Sequence, residues 1–223
     1  MSTVEPLKKE LDKQTLMKIK DALLRMIRYH SKKCLEGYIF TEVEEEETAV
    51  REIPIYGFWL SFVLLATDYM NIILKTHFDF SSILPILKKI FNTKEIEISQ
   101  QMAESFMNEY SNLFGTKIKN SIYEIGLPAG MSLPVLTRGF DNYLFEEYFK
   151  SSANVSSSRT GSKKRETYQY SQVWKFTTDE TTIFCSVEID IMSLPAFEKL
   201  EPLLRWDPKK NVDEKADKME FLL

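Results

Sequence analysis

Residues 97–124 read EISQQMAESFMNEYSNLFGTKIKNSIYE, and this stretch decides how the rest of the chain is arranged. Ile98, Met102, Phe106, Tyr110, Leu113, Phe114, Ile118 and Ile122 recur every three or four residues, the spacing of one buried helical face. A long helix is therefore expected from about Glu97 to Glu124, stopped by Gly126-Leu127-Pro128. Ser105, Glu109 and Asn112 are spaced by four and three residues, so they project together from this helix. At about 100° per residue their line is rotated about one residue-step from the apolar stripe. The helix should bury one side and offer a carboxylate, a carboxamide and a hydroxyl on its flank.

Upstream, Leu16, Ile19, Leu23, Met26 and Ile27 predict a first helix over about 7–33, with His30 as a half-buried packing residue where the stripe ends. The period changes at Gly37: residues 38–43 (Tyr-Ile-Phe-Thr-Glu-Val) are strand-like. Glu44 to Glu47 repel one another and read as a solvated loop or hairpin tip. Val50 to Tyr56 is extended again, held towards a sheet edge by Pro54. Gly57 to Thr67 reads as a strand buried on both faces, and after a turn at Asp68-Tyr69 a further strand runs from Met70 to Phe78, with His77 as a packing residue. Ser81 and Ser82 are expected to cap a short apolar helix that tolerates Pro85 in its first turn.

Downstream, Met131 to Thr137 reads as a short strand containing Pro134. Residues 140–151 are aromatic and expected to be helical. Residues 152–166 are serine-rich and basic, without periodicity, and read as a flexible loop. Two strands follow, Tyr168 to Thr177 and Thr181 to Met192. The second alternates cleanly, with Ile183, Cys185, Val187, Ile189 and Ile191 on one face, so Cys185 is expected to be buried and inert. A short helix is expected over 194–206. No internal repeat is present. The organisation is a single α+β domain over 1–206, with a polar insertion at about 140–166 and a charged tail over 207–223.

Composition bounds the chemistry. The 223 residues carry a net charge of −4, which argues against a dedicated nucleic-acid binder, despite Arg159, Lys163, Lys164 and Arg165 in the loop. Two cysteines, Cys34 and Cys185, form no disulfide framework and fit a reducing, cytoplasmic setting. The apolar run from Phe58 to Thr67 is too short to span a bilayer, and the N-terminus lacks the apolar core of a signal peptide. Glycine-rich phosphate loops, a Gly-x-Ser-x-Gly elbow and zinc-spaced Cys or His pairs are all missing. Any catalysis must be light, or borrowed from a partner.

The pattern Ser105-x-x-x-Glu109-x-x-Asn112 matches the [Asp/Ser]-x-x-x-Glu-x-x-Asn signature of the CheC/CheX/FliY phosphatases of bacterial chemotaxis. Met131-Ser132-Leu133-Pro134-Val135-Leu136, followed by Gly139, resembles the Ser-Leu-Pro-x-Val strand of CheX-like domains. The strand at Gly57–Phe62 and the closing hairpin fall in the expected order, and the resemblance extends over about residues 10–192. Two features depart from the family. Its glycine four residues after the asparagine is replaced by Thr116, with Gly115 one place earlier, and the insertion after Phe140 is longer.

The resemblance implies a CheX-like fold: a mixed or antiparallel sheet packed against two long helices, with an N-terminal helix and a C-terminal tail. It implies dephosphorylation of a CheY-like response-regulator receiver domain. Asn112 would orient water on the phospho-aspartate, Glu109 would pair with the receiver lysine, and Ser105 would be a supporting contact. No cofactor of its own is implied, since the receiver brings the Mg²⁺. A homodimer is compatible with the family, whereas nucleic acid and membrane are not expected partners. The alternative is a protein of the same fold that binds a receiver or flagellar-switch component without hydrolysing it.

Overall fold

The computed structural model describes residues 4–39, 43–48, 59–91, 98–138, 168–178, 181–192 and 199–208. Helix α1 (Val4–Ile39) precedes strands β1 (Glu44–Thr48), β2 (Trp59–Ala66) and β3 (Met70–Phe78). Helices α2 (Phe80–Phe91) and α3 (Gln100–Glu124) come next, then β4 (Gly130–Met131), β5 (Val135–Arg138), β6 (Tyr168–Thr177), β7 (Thr182–Ile191) and a closing 3₁₀ turn, Glu201–Arg205. The seven strands form one sheet in the order β1-β6-β7-β3-β2-β4, with β5 also paired to β2. Every pairing is antiparallel. The expected α+β architecture, an antiparallel sheet against two long helices, is the one observed. The expected helix at 140–151, the basic loop, the strand at 50–56 and the tail beyond Pro208 lie outside the described residues.

Alternation builds the main core. Val63 and Leu65 of β2, Ile72 and Leu74 of β3, and Val187 and Ile189 of β7 are buried together with the apolar stripes of α1 and α3. The opposite face of the sheet mixes polar groups with Leu60, Phe62, Leu64, Ile73 and Phe184. His77 Nε2 meets Ser186 Oγ at 3.0 Å, and the Lys75 ammonium pairs with Glu188. Burial, with help from Lys75, lowers the His77 pKa to about 3, so this histidine stays neutral in its packing role. Cys185 is buried as expected, and burial raises its thiol to about 12. His30 is half-buried against Tyr29 and Trp206, with ring centroids 5.4 and 5.8 Å away.

Several local expectations are corrected. The first helix does not end near residue 33; it continues to Ile39, so Tyr38 and Ile39 are helical and not strand. Cys34, Leu35, Tyr38 and Ile39 keep the helical spacing and are buried, with Tyr38 packed edge-on against Phe106 at 5.0 Å. Tertiary burial outweighs the β-propensity of Tyr-Ile-Phe-Thr. The glutamate run is no loop tip either. It is edge strand β1, paired residue by residue with β6. Alternation separates its charges: Arg28 of α1 binds Glu45 and Glu47 on one face, and Lys175 holds Glu46 at 2.9 Å on the other.

Strand β2 is not buried on both faces, because Phe62 is only half-buried and Leu64 is exposed. The cap of α2 is Asp79 and neither serine: its carboxylate accepts the Ser82 N–H at 2.8 Å. The expected strand around Pro134 is two pieces, β4 and β5. Between them Ser132 continues the ladder through its own backbone N–H and hydroxyl, bonded to the Leu64 carbonyl and N–H at 2.9 and 3.0 Å.

Candidate functional site

Helix α3 begins at Ser99, whose hydroxyl accepts the Met102 N–H, and it is gripped on two sides along its length. On the sheet side, Ala103, Met107, Ser111 and Gly115 are buried. Gly115 lies so close to the sheet that an added Cβ would stand 3.1 Å from both Val63 Cγ2 and Met131 Sδ. Ser61 of β2 donates its hydroxyl to the Asn108 side-chain oxygen at 3.1 Å, one residue before Glu109. On the α1 side, the buried Tyr110 donates its hydroxyl to the Ser31 carbonyl at 3.0 Å. Ser121 meets His30 Nε2 at 2.8 Å nearer the helix end. Four anchors thus fix both the depth and the rotation of α3.

The face left over carries the polar line found in the sequence. Ser105 and Glu109 are exposed and Asn112 is half-exposed, all on the flank between the two gripped sides. The three positions lie within an arc of about 60° on the helix. Among the described residues, no hydrogen bond or ion pair engages the side chain of any of the three. Tyr38 stands near the carboxylate. Burial first, then the charges of Glu109 and Cys34, push its phenol well above its ordinary range, so it remains a neutral neighbour.

The sheet edge formed by β2 and β5 carries exposed apolar side chains, with Leu64 and Val135 on the face turned away from α3. Leu133, in the break between β4 and β5, is 82% exposed, and Val135 and Leu64 are also exposed. Arg138 stacks over the Trp59 ring at 4.3 Å to its centroid and closes the far end of β5. A carboxylate and a carboxamide presented together from one helix face can engage a protein surface. Among the described residues no group of three His, Cys, Asp or Glu side chains could hold a metal ion. No helix among them is long and apolar enough to cross a membrane.

Sequence spacing found the three outward residues but missed Asn108, whose contact with Ser61 sets how the helix is turned. A signal existed: a serine inside the apolar run of β2 requires a polar partner once it is buried. Which residue supplies that partner depends on how α3 crosses β2.

No family model matches the chain, and no curated protein matches its sequence. Solved structures do resemble it. A CheC-like superfamily protein from Shewanella sp. PV-4 superposes with a TM-score of 0.52 at 13% identity, over 75% of this chain and 97% of that one. The chemotaxis protein CheX from Vibrio vulnificus gives 0.52 at 11% identity, over 75% and 98%. CheX from Borrelia burgdorferi, crystallised in a complex with CheY, BeF3 and Mg²⁺, gives 0.51 at 13% identity, over 74% and 96%. The chain has the fold of the CheC/CheX type, spread over most of its length.

Proposed function

We propose that this CheC/CheX-fold protein is a phosphatase acting on the phospho-aspartate of a CheY-like receiver domain. The observation that carries the reading is the outward presentation of Glu109 and Asn112 from one rigidly anchored helix. The fold is shared with a CheX that was crystallised bound to CheY, which supports a receiver as the partner.

The chemistry asked of the chain is small. Water attacks the phosphorus, the bond from phosphorus to the aspartyl oxygen breaks, and the aspartate carboxylate leaves as inorganic phosphate is released. Such transfer needs positioning and charge neutralisation more than covalent help. Asn112 can accept one hydrogen bond from the attacking water and donate another, which aligns its lone pair with the phosphorus. Glu109 pairs with the receiver's lysine and fixes the distance of approach. Ser105, one helical turn before Glu109, extends the contact. The receiver's own Mg²⁺ neutralises the phosphoryl oxygens.

The test is phosphate release from a phosphorylated receiver with and without this protein. Acceleration that requires Asn112 supports the reading, and no acceleration with any receiver of the same cell overturns it. One observation favours a second reading, binding without hydrolysis. Gly115 carries the close approach to β2, and the half-buried Thr116 stands where the family pattern has its glycine. A receiver that binds tightly yet keeps its phosphate would select that alternative.

A further inference from the structure

The outward face of α3 does not end at Asn112. Thr116, Lys119 and Tyr123 continue the alternating four- and three-residue spacing of Ser105, Glu109 and Asn112. At about 100° per residue, all six stay within an arc of about 80°. Thr116 and Lys119 are half-exposed, and Tyr123 is 67% exposed. Tyr123 follows Asn112 by three helical turns, about 16 Å along the axis, and is turned from it by only about 20°. Buried Ile118 and Ile122, and the contact of Ser121 with His30, hold this end of the helix against the core. Lys119 and Tyr123 therefore stand at a fixed distance from Asn112.

Two features set this end apart from an ordinary solvated flank. Tyr123 is the only aromatic among the large apolar side chains exposed in the described residues. Leu64, Leu133 and Val135 belong to the sheet edge and Met17 to α1, so Tyr123 alone shares the helix of Glu109 and Asn112. Among the described residues its side chain makes no hydrogen bond and no ring contact, and Lys119 forms no ion pair. The face is also polarised. Glu109 and Lys119, opposite in charge, lie ten residues apart on either side of Asn112, about 15 Å along the axis.

We propose that Lys119 and Tyr123 form a second contact for the receiver, which selects the partner and sets its orientation without touching the reacting atoms. The proposal rests on the reading that a receiver docks at Glu109 and Asn112. An interface of standard size buries roughly 800 Å² on each partner, equivalent to a radius of about 16 Å. A receiver centred on Asn112 therefore reaches Tyr123. The receiver surface that fits carries a carboxylate for Lys119 beside an apolar patch that the Tyr123 ring covers. Tyrosines enclosed in an interface are among the side chains that supply most of its binding energy. With Glu109 meeting a lysine and Lys119 a carboxylate, a receiver docked end for end would bring like charges together, so the polarity fixes one orientation.

The experiment measures phosphate release from a phosphorylated receiver by the full chain, and calorimetric binding of the same receiver carrying beryllofluoride in place of the phosphoryl group. Tyr123→Ala should raise KM and Kd about tenfold and leave kcat within about twofold. Tyr123→Phe, which keeps the ring, should stay within about twofold of the unsubstituted chain in all three. Lys119→Glu should raise KM about tenfold at low salt, with the effect shrinking as ionic strength rises. Thermal unfolding should be unchanged in each variant, because Lys119 and Tyr123 lie outside the core. A Tyr123→Ala variant with unaltered KM and Kd, or one that loses kcat alone, would overturn the second contact and leave the phosphatase reading standing. A receiver that binds yet keeps its phosphate would remove the phosphatase reading alone; the Kd of Tyr123→Ala then decides the second contact. Failure of every receiver to bind would overturn both.

Discussion

The Tyr110 hydroxyl reaches across the interface between α3 and α1 and bonds to the Ser31 carbonyl at 3.0 Å, entirely inside the core. Tyr110 follows Glu109 directly in the sequence, so the bond that holds the tyrosine inward also holds the carboxylate outward. Tyr110→Phe should keep the packing and lose the bond, at about 1 kcal/mol. Thermal unfolding should show a fall of roughly 2–4 °C for a chain of this size. An unchanged melting temperature would mean that the hydroxyl does not anchor the helix.

The second anchor is steric. With Val63 Cγ2 and Met131 Sδ both 3.1 Å from a hypothetical Cβ, Gly115 sets how deeply α3 sits on β2. Gly115→Val should push the helix off the sheet and destabilise by roughly 1–3 kcal/mol. Gly115→Ala should be close to neutral, because the helical preference of alanine, worth about 1 kcal/mol, offsets the milder crowding. Urea titration of both variants checks the contrast, and equal stability for alanine and valine would contradict the close approach.

Asn112→Ala should lower receiver dephosphorylation by roughly 10²-fold, the scale for loss of one positioned transition-state donor. Receiver binding should change far less, since the asparagine contributes little contact area. Glu109→Ala should weaken binding as well, through loss of its charge-assisted contact. Both variants should stay folded, because neither side chain fills the core. Rates measured with one receiver at saturating phosphodonor separate these effects; a fully active Asn112→Ala would falsify the catalytic role.

Acid should weaken the fold through its histidines. Burial, then the nearby charge of Lys117, lowers the His30 pKa from 6.5 to about 4. Above pH 6.5 the ring is neutral in both folded and unfolded chains, and the stability it contributes is complete. As pH falls from 6.5 towards 4, the unfolded chain takes up the proton first. Stability then drops by up to about 1.4 kcal/mol per pH unit for this group. His77, lowered to about 3, extends the loss to lower pH. His30→Gln should flatten part of the slope between pH 6.5 and 4 in denaturant titrations. A slope unchanged by that substitution would assign the acid sensitivity elsewhere.

Much of the architecture was legible because burial imposes simple periods. The stripe from Met102 to Ile122 gave α3, whose start lies three residues later than expected, and the alternation from Ile183 to Ile191 gave β7 to within one residue at each end. The outward line of Ser105, Glu109 and Asn112 was legible for the same reason, since three- and four-residue spacing fixes a helical face whatever the helix packs against.

Contacts between distant segments set what periodicity could not. Glu44–Glu47 reads as a repelling run until Arg28 and Lys175 are brought to its two faces. Tyr38 and Ile39 read as strand until Phe106 offers Tyr38 a helical packing partner. The Asn108–Ser61 bond and the Gly115–Val63 contact join residues about fifty positions apart in the chain. Local sequence sets which face of a helix is polar, through side-chain geometry within one turn. The depth and rotation that aim that face outward, and the pairing of Trp206 with Tyr29, arise only when long-range packing closes the chain.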